Sequence, residues 1–117
     1  MALLNLGFIR QSEGRGEEAE KLYQRCMELL EKQPSSDLVL ATLLENLAEL
    51  EHERHKGDLS ESYFRRALSV RERVFGPASP PVLDTLENYE ALLRETGRTA
   101  DADRLHARAQ TIRSAGH

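Results

Sequence analysis

Asn5-Leu6-Gly7 returns as Asn46-Leu47-Ala48 and again as Asn88-Tyr89-Glu90, at spacings of 41 and then 42 residues. The same two intervals link Leu3, Leu44 and Leu86, and the small residues Ala19, Ser60 and Ala102. They also link the ring-bearing Tyr23, Phe64 and His106, and then Cys26, Ala67 and Ala109. Five matched columns at one interval describe a unit built three times, and a fixed period of this length is the mark of a stacked repeat architecture.

Each unit carries two helical patterns. Leu3, Leu6 and Ile9 in the first, and Leu40, Leu43, Leu44, Leu47 and Leu50 in the second, recur at three and four residues, which makes one apolar helix face. A second stripe follows at once: Ala19, Leu22, Tyr23, Cys26 and Leu29/Leu30; then Tyr63, Phe64, Ala67, Leu68, Val70 and Val74; then Ala102, Leu105, Ala109 and Ile112. Strand alternation is nowhere to be seen. Gly14-Arg15-Gly16, Lys56-Gly57-Asp58 and Gly97-Arg98-Thr99 read as tight turns inside each pair, because Gly takes the left-handed conformation that ends a helix. Asp58 with Glu61 has the spacing of a capping box. Pro34-Ser35-Ser36-Asp37 and Phe75-Gly76-Pro77-Ala78-Ser79-Pro80-Pro81 divide the units, with Ser79 placed as N-cap and Pro80 as the first helical residue. Six helices are predicted, at roughly 2–13, 17–33, 37–55, 59–75, 80–96 and 100–114.

The predicted fold is therefore all-α: an α-solenoid of three tandem antiparallel helix hairpins in a single domain, with repeats at approximately 1–36, 37–78 and 79–117. Composition agrees. With three Phe, three Tyr and no Trp, the core must come from Leu, Ala, Val and Ile, which suits thin helical layers. A formal net charge of −4 speaks against nucleic-acid binding, which needs clustered Lys and Arg. Cys26 is the single cysteine, so no intrachain disulfide can form, and a cytoplasmic setting is expected. No apolar run reaches the roughly 20 residues that cross a bilayer, and Met1 to Arg10 lacks the form of a signal peptide.

Leu3-x-x-Leu6-Gly7, then Gly14, then Ala19-x-x-x-Tyr23-x-x-Cys26 resembles the tetratricopeptide repeat in its order of small and large positions. The longer period and the linker Arg71 to Pro80 resemble the 42-residue variety found in kinesin light chains and many bacterial proteins. The resemblance covers nearly the whole chain. Departures are local: Arg10 and Glu51 stand where an aromatic is usual, His55 replaces the turn Gly, and His106 replaces the aromatic of the third repeat. The resemblance implies a right-handed stack whose first helices line a concave groove holding an extended peptide or a partner helix. It also implies that Asn5, Asn46 and Asn88 face that groove, where an amide offers both donor and acceptor to a peptide backbone.

Glu45, Glu49 and Glu53, four residues apart, form one line on the third helix. Asp84, Glu87 and Glu95 join them from matched positions, against Arg94 and the titratable His52, so an acidic groove is predicted. One reading is a partner carrying Lys or Arg, steered by complementary charge. The other is an ordinary solvated helix face. At the first repeat the corresponding positions are Leu4, Phe8, Gln11 and Ser12, so that end is expected to be apolar, and Phe8 is either an anchor pocket or surface left bare.

Three patterns resemble sites and fail on spacing or context. His52-Glu53-Arg54-His55 places its histidines three apart, where a zinc-protease helix needs four. Gly14-Arg15-Gly16-Glu17-Glu18-Ala19 follows a helix, not a strand, and puts two acids where a phosphate would lie. Cys26 aligns with Ala67 and Ala109, which makes it a packing residue. No arrangement for catalysis, a cofactor or a metal stands out. The expected function is a non-enzymatic protein-interaction scaffold that binds a peptide or helix, with no nucleic-acid or membrane partner. The alternative is self-association, for example as a homodimer through the ends of the stack, which lack polar capping helices.

Overall fold

The structure is a computed structural model that describes residues 2–33 and 37–115. Among the described residues six helices follow one another: α1 (Ala2–Ser12), α2 (Gly16–Glu31), α3 (Asp37–Glu53), α4 (Gly57–Phe75), α5 (Pro80–Glu95) and α6 (Thr99–Ala115). The Pro34-Ser35-Ser36 part of the first predicted break, and the terminal Gly116 and His117, lie outside the described residues.

All three hairpins close in the same way. Gly14, His55 and Gly97 have φ of 76°, 61° and 79°. The next residue's N–H reaches back five residues in each case, Arg15 to Arg10, Lys56 to Glu51 and Arg98 to Leu93, at 2.8–2.9 Å. The positive-φ residues themselves bond three residues back, to Gln11, His52 and Arg94. That pair of bonds is the Schellman motif, which satisfies carbonyls left over at a helix end. The second turn therefore has the same geometry as the others with a histidine where they have glycine.

Two predicted caps differ from the structure. The capping box at Asp58 and Glu61 does not form: α4 starts at Gly57 with Lys56 as its N-cap and no side-chain cap bond, and Glu61 is turned into the interior instead. Ser79 does occupy the N-cap of α5 with Pro80 behind it, but its hydroxyl donates to the Gly76 carbonyl at 3.0 Å and leaves the helix N–H groups alone.

Within hairpins, close approach follows the small columns. Ala19, Cys26, Ala67, Ala102 and Ala109 are fully buried. A Cβ on Gly7 would lie 2.5 Å from the Tyr23 ring, so the first hairpin closes this tightly only with glycine there. Successive hairpins stack through α2 on α3 and α4 on α5. The Phe64 and Tyr89 rings stack at 5.5 Å, Glu20 pairs with Arg54 at 2.6 Å, and Glu61 accepts from Tyr89 Oη at 2.6 Å and from Arg98. The result is a slab of 39 × 34 × 20 Å, two helices thick. The odd-numbered helices form one layer and the even-numbered ones the other, as the cross-links Gln11–Glu53 and Thr85–Glu45 on one side and Gln24–Tyr63 and Arg108–Glu72 on the other show. No helix among the described residues is long and apolar enough to cross a membrane.

Candidate functional site

The odd-helix layer carries the acidic line of α3. Glu53 accepts from Gln11 Nε2 at 3.1 Å, and Gln11 in turn accepts from the buried Tyr23 Oη at 2.7 Å. Burial, and then the charges of Glu49 and Glu53, push the Tyr23 phenol up to about 12. Glu49 stands between its neighbours. Desolvation raises its carboxyl above the ordinary range, and repulsion from Glu45 and Glu53 adds to this. No Lys or Arg among the described residues lies within ion-pair distance of Glu49, although acids elsewhere on the surface are commonly paired.

Beside that line, an open depression of about 230 Å³ lies between α3 and α5. Glu49, His52 and Glu53 form one wall, Asn88, Ala91, Leu92 and Glu95 the other, and Phe64 of α4 the floor. His52 and Glu95 meet across it. Its lining includes three carboxylates and no Lys or Arg, so it combines negative charge with an apolar base.

Asn5, Glu45, Asn46, Glu87 and Arg94, all expected at the site, do not line the depression. Glu45, expected to present its charge to a partner, is instead held by Arg71 at 3.2 Å and accepts from Thr85 Oγ1 at 2.5 Å, tying α3, α4 and α5 together. Burial raises its carboxyl; Thr85 and Arg71 act against the rise and Asp84 adds to it. Arg94 turns away from the depression towards Glu90 at 3.0 Å and Asp103 of α6 at 3.1 Å. Asn5 is exposed on α1 and Asn46 half-buried on α3, and neither lines the depression. Of the three asparagines only Asn88 does, and it also edges a second hollow with Glu45, Arg71, Asp84 and Glu87, where Glu87 meets Arg113 at 3.4 Å.

At the first repeat Leu4 is buried in the core, which corrects its expected place on the groove, while Phe8 is 53% exposed. Phe64, Ala91, Leu92 and Thr85 were not among the expected site residues. Thr85 did carry a signal, since it is a hydroxyl in the column of Leu43, where an apolar side chain is the rule. Among the described residues no group of three or more His, Cys, Asp or Glu could hold a metal ion.

A family model described as tetratricopeptide repeat matches residues 1–53 and again 39–115. This chain belongs to the tetratricopeptide-repeat family. Among solved structures it is similar to BtubC (BKLC) from P. vanneervenii, a kinesin light chain-like repeat protein, at a TM-score of 0.90 and 24% identity. That similarity covers 98% of this chain and 46% of BtubC, so the chain spans just under half the length of that protein, and it bears on the fold alone. No curated protein matches. Repeats of this family mediate protein–protein interaction in general, and nothing in the match names a ligand.

Proposed function

We propose that residues 1–117, acting as one unit of three repeats, form a cytoplasmic, non-enzymatic module that binds a basic peptide or helix against its odd-helix layer. A Lys or Arg side chain of the partner enters the depression between α3 and α5. There Glu49, Glu53 and Glu95 receive its charge, and Phe64 and Leu92 cover its aliphatic stem. Asn88 offers a donor and an acceptor to the partner backbone at the same place, and Asn46 and Asn5 continue the row towards α1. The observation that carries this reading is the uncompensated acid of Glu49 in a hollow with no Lys or Arg on its walls. A partner that brings positive charge relieves the repulsion along the acidic line.

The test is an array of Lys/Arg-containing, neutral and acidic peptides at low and high salt, followed by titration of the best binder against Glu49→Lys. Preference for basic peptides, a fall of at least about tenfold in affinity for the variant and weakening by salt are expected. Equal binding of neutral or acidic peptides, or unchanged affinity in Glu49→Lys, would remove the depression from the binding site.

A further inference from the structure

The hollow between α3 and α5 takes its charge from Glu49, Glu53 and Glu95, and the cations nearest to it in sequence are engaged elsewhere. Arg54 holds Glu20 of α2 at 2.6 Å, Lys56 stands 4.0 Å from Glu51, and Arg94 holds Glu90 and Asp103. Phe64 of α4 and Asn88, Ala91 and Leu92 of α5 bring no titratable group to the lining. From α1, Gln11 reaches Glu53, with Tyr23 of α2 behind it, and His55 of the next turn does not line the hollow. One wall residue can nevertheless become a cation. His52 of α3 meets the Glu95 carboxylate across the hollow through its Nε2, a contact that joins the second hairpin to the third.

An imidazole changes charge between about pH 5 and 8, so this contact has two forms. While His52 is neutral the contact is an ordinary hydrogen bond, and the three carboxylates keep their charge for an incoming ammonium or guanidinium. Once protonated, His52 forms an ion pair with Glu95, and its charge also acts on Glu49, one turn before it, and on Glu53, beside it on the same wall. The hollow is then partly neutralised from within. Glu49 acts in the same direction, because burial and the charges of Glu45 and Glu53 raise its carboxyl, which gives up its charge on acidification. Only variants at His52 separate the two.

We propose that His52 is a built-in competitor for the partner's cation: on protonation it takes Glu95 for itself, so the hollow holds a basic peptide near neutral pH and releases it in acid. This role depends on the hollow binding a basic peptide, as proposed above, and sets the condition under which the partner leaves. The coupling is reciprocal, since a bound cation disfavours the proton on His52 by the same factor by which that proton weakens the peptide.

The test is titration of the full chain, at fixed ionic strength, with the best Lys/Arg peptide that contains no His, Asp or Glu. Affinity should fall at least about fivefold from about pH 7.5 to about pH 5.5. His52→Gln, which can still donate to Glu95 but cannot become charged, should fall less than about twofold over the same range. His52→Lys carries its charge at both pH values, so it should also vary less than about twofold and bind at about pH 7.5 at least about fivefold more weakly than the parent. His52 is partly exposed, and circular dichroism checks that each variant keeps the parent's helix content; either variant decides the matter if the other does not fold. A fall as steep as the parent's in a folded variant would assign the pH dependence to Glu49 and overturn the role of His52, while leaving the hollow as the binding site. A parent that binds equally at both pH values would overturn it as well. Absence of any preference for basic peptides at about pH 7.5 would remove the basic-peptide reading and this role together.

Discussion

Replacing Glu51 by leucine should stabilise this protein. Glu51 is wholly buried, and its Oε2 has no hydrogen-bond partner. The nearest cations serve it poorly: Arg54 is 3.5 Å away and already holds Glu20 at 2.6 Å, and Lys56, itself half-exposed, stands at 4.0 Å. An unsatisfied buried polar group costs about 1–3 kcal/mol, and exchanging buried ionic groups for apolar ones of similar volume is often neutral or favourable. The third repeat shows that the site accepts the change, because Leu93 occupies the same column and is 2% exposed. Glu51→Leu should therefore gain about 1–3 kcal/mol in urea unfolding, or roughly 4 °C in Tm per kcal/mol.

The gain should also depend on pH, with a definite sign. Burial above all, and then the hydrogen bond and charge of Glu20, raise the Glu51 carboxyl from its ordinary value of 4.5, against the pull of Arg54 and Lys56. The folded state then holds this proton more tightly than the unfolded chain. Its contribution is fully present below 4.5 and is lost as pH rises through the folded value. Glu20 runs the other way. Burial raises it, but hydrogen bonds with Glu51 and Arg54 outweigh this and lower it, so its contribution is present above 4.5 and is lost on acidification. The advantage of Glu51→Leu, and of Glu51→Gln, over the parent should accordingly grow from acid towards neutral pH. A variant that is less stable than the parent at neutral pH, or a gain that does not change with pH, would refute this account of the seam.

His55→Gly should stabilise by about 0.5–1 kcal/mol in the same urea assay, because His55 holds φ of 61° in a turn whose equivalents are Gly14 and Gly97. Thr85→Val, which keeps the shape but removes the hydroxyl that donates to Glu45, should cost about 1–3 kcal/mol in thermal unfolding. An unchanged Tm there would mean that Arg71 alone satisfies Glu45.

Much of the fold could be read directly because its causes are local. A helix declares its buried stripe at three- and four-residue spacing, and its end by a residue that tolerates positive φ, so the hairpin turns at Gly14, Gly57 and Gly97 fell within two residues of the observed ones. The capping box at Asp58 and Glu61 was misleading for the opposite reason. Glu61 has a stronger use 28 residues away, at Tyr89, and a further one at Arg98, and no local rule weighs such distant partners. The acidic line of α3 was legible as a line, but the state of each acid was not. Glu45 and Glu49 differ by one helical turn in sequence, yet Thr85 and Arg71 engage the first while the second is left without a cation.

By itself the sequence determined the helical class, the period of 41 and 42 residues and the residues that pack within each hairpin, because side-chain size and backbone preference act over one or two turns. Only the tertiary structure decided which carboxylates are free, which asparagine reaches the hollow between α3 and α5, and that Arg94 leaves it for α6. Those outcomes depend on how far one hairpin is turned against the next. Electrostatic and hydrogen-bond energies change steeply over the few ångströms which that stacking sets.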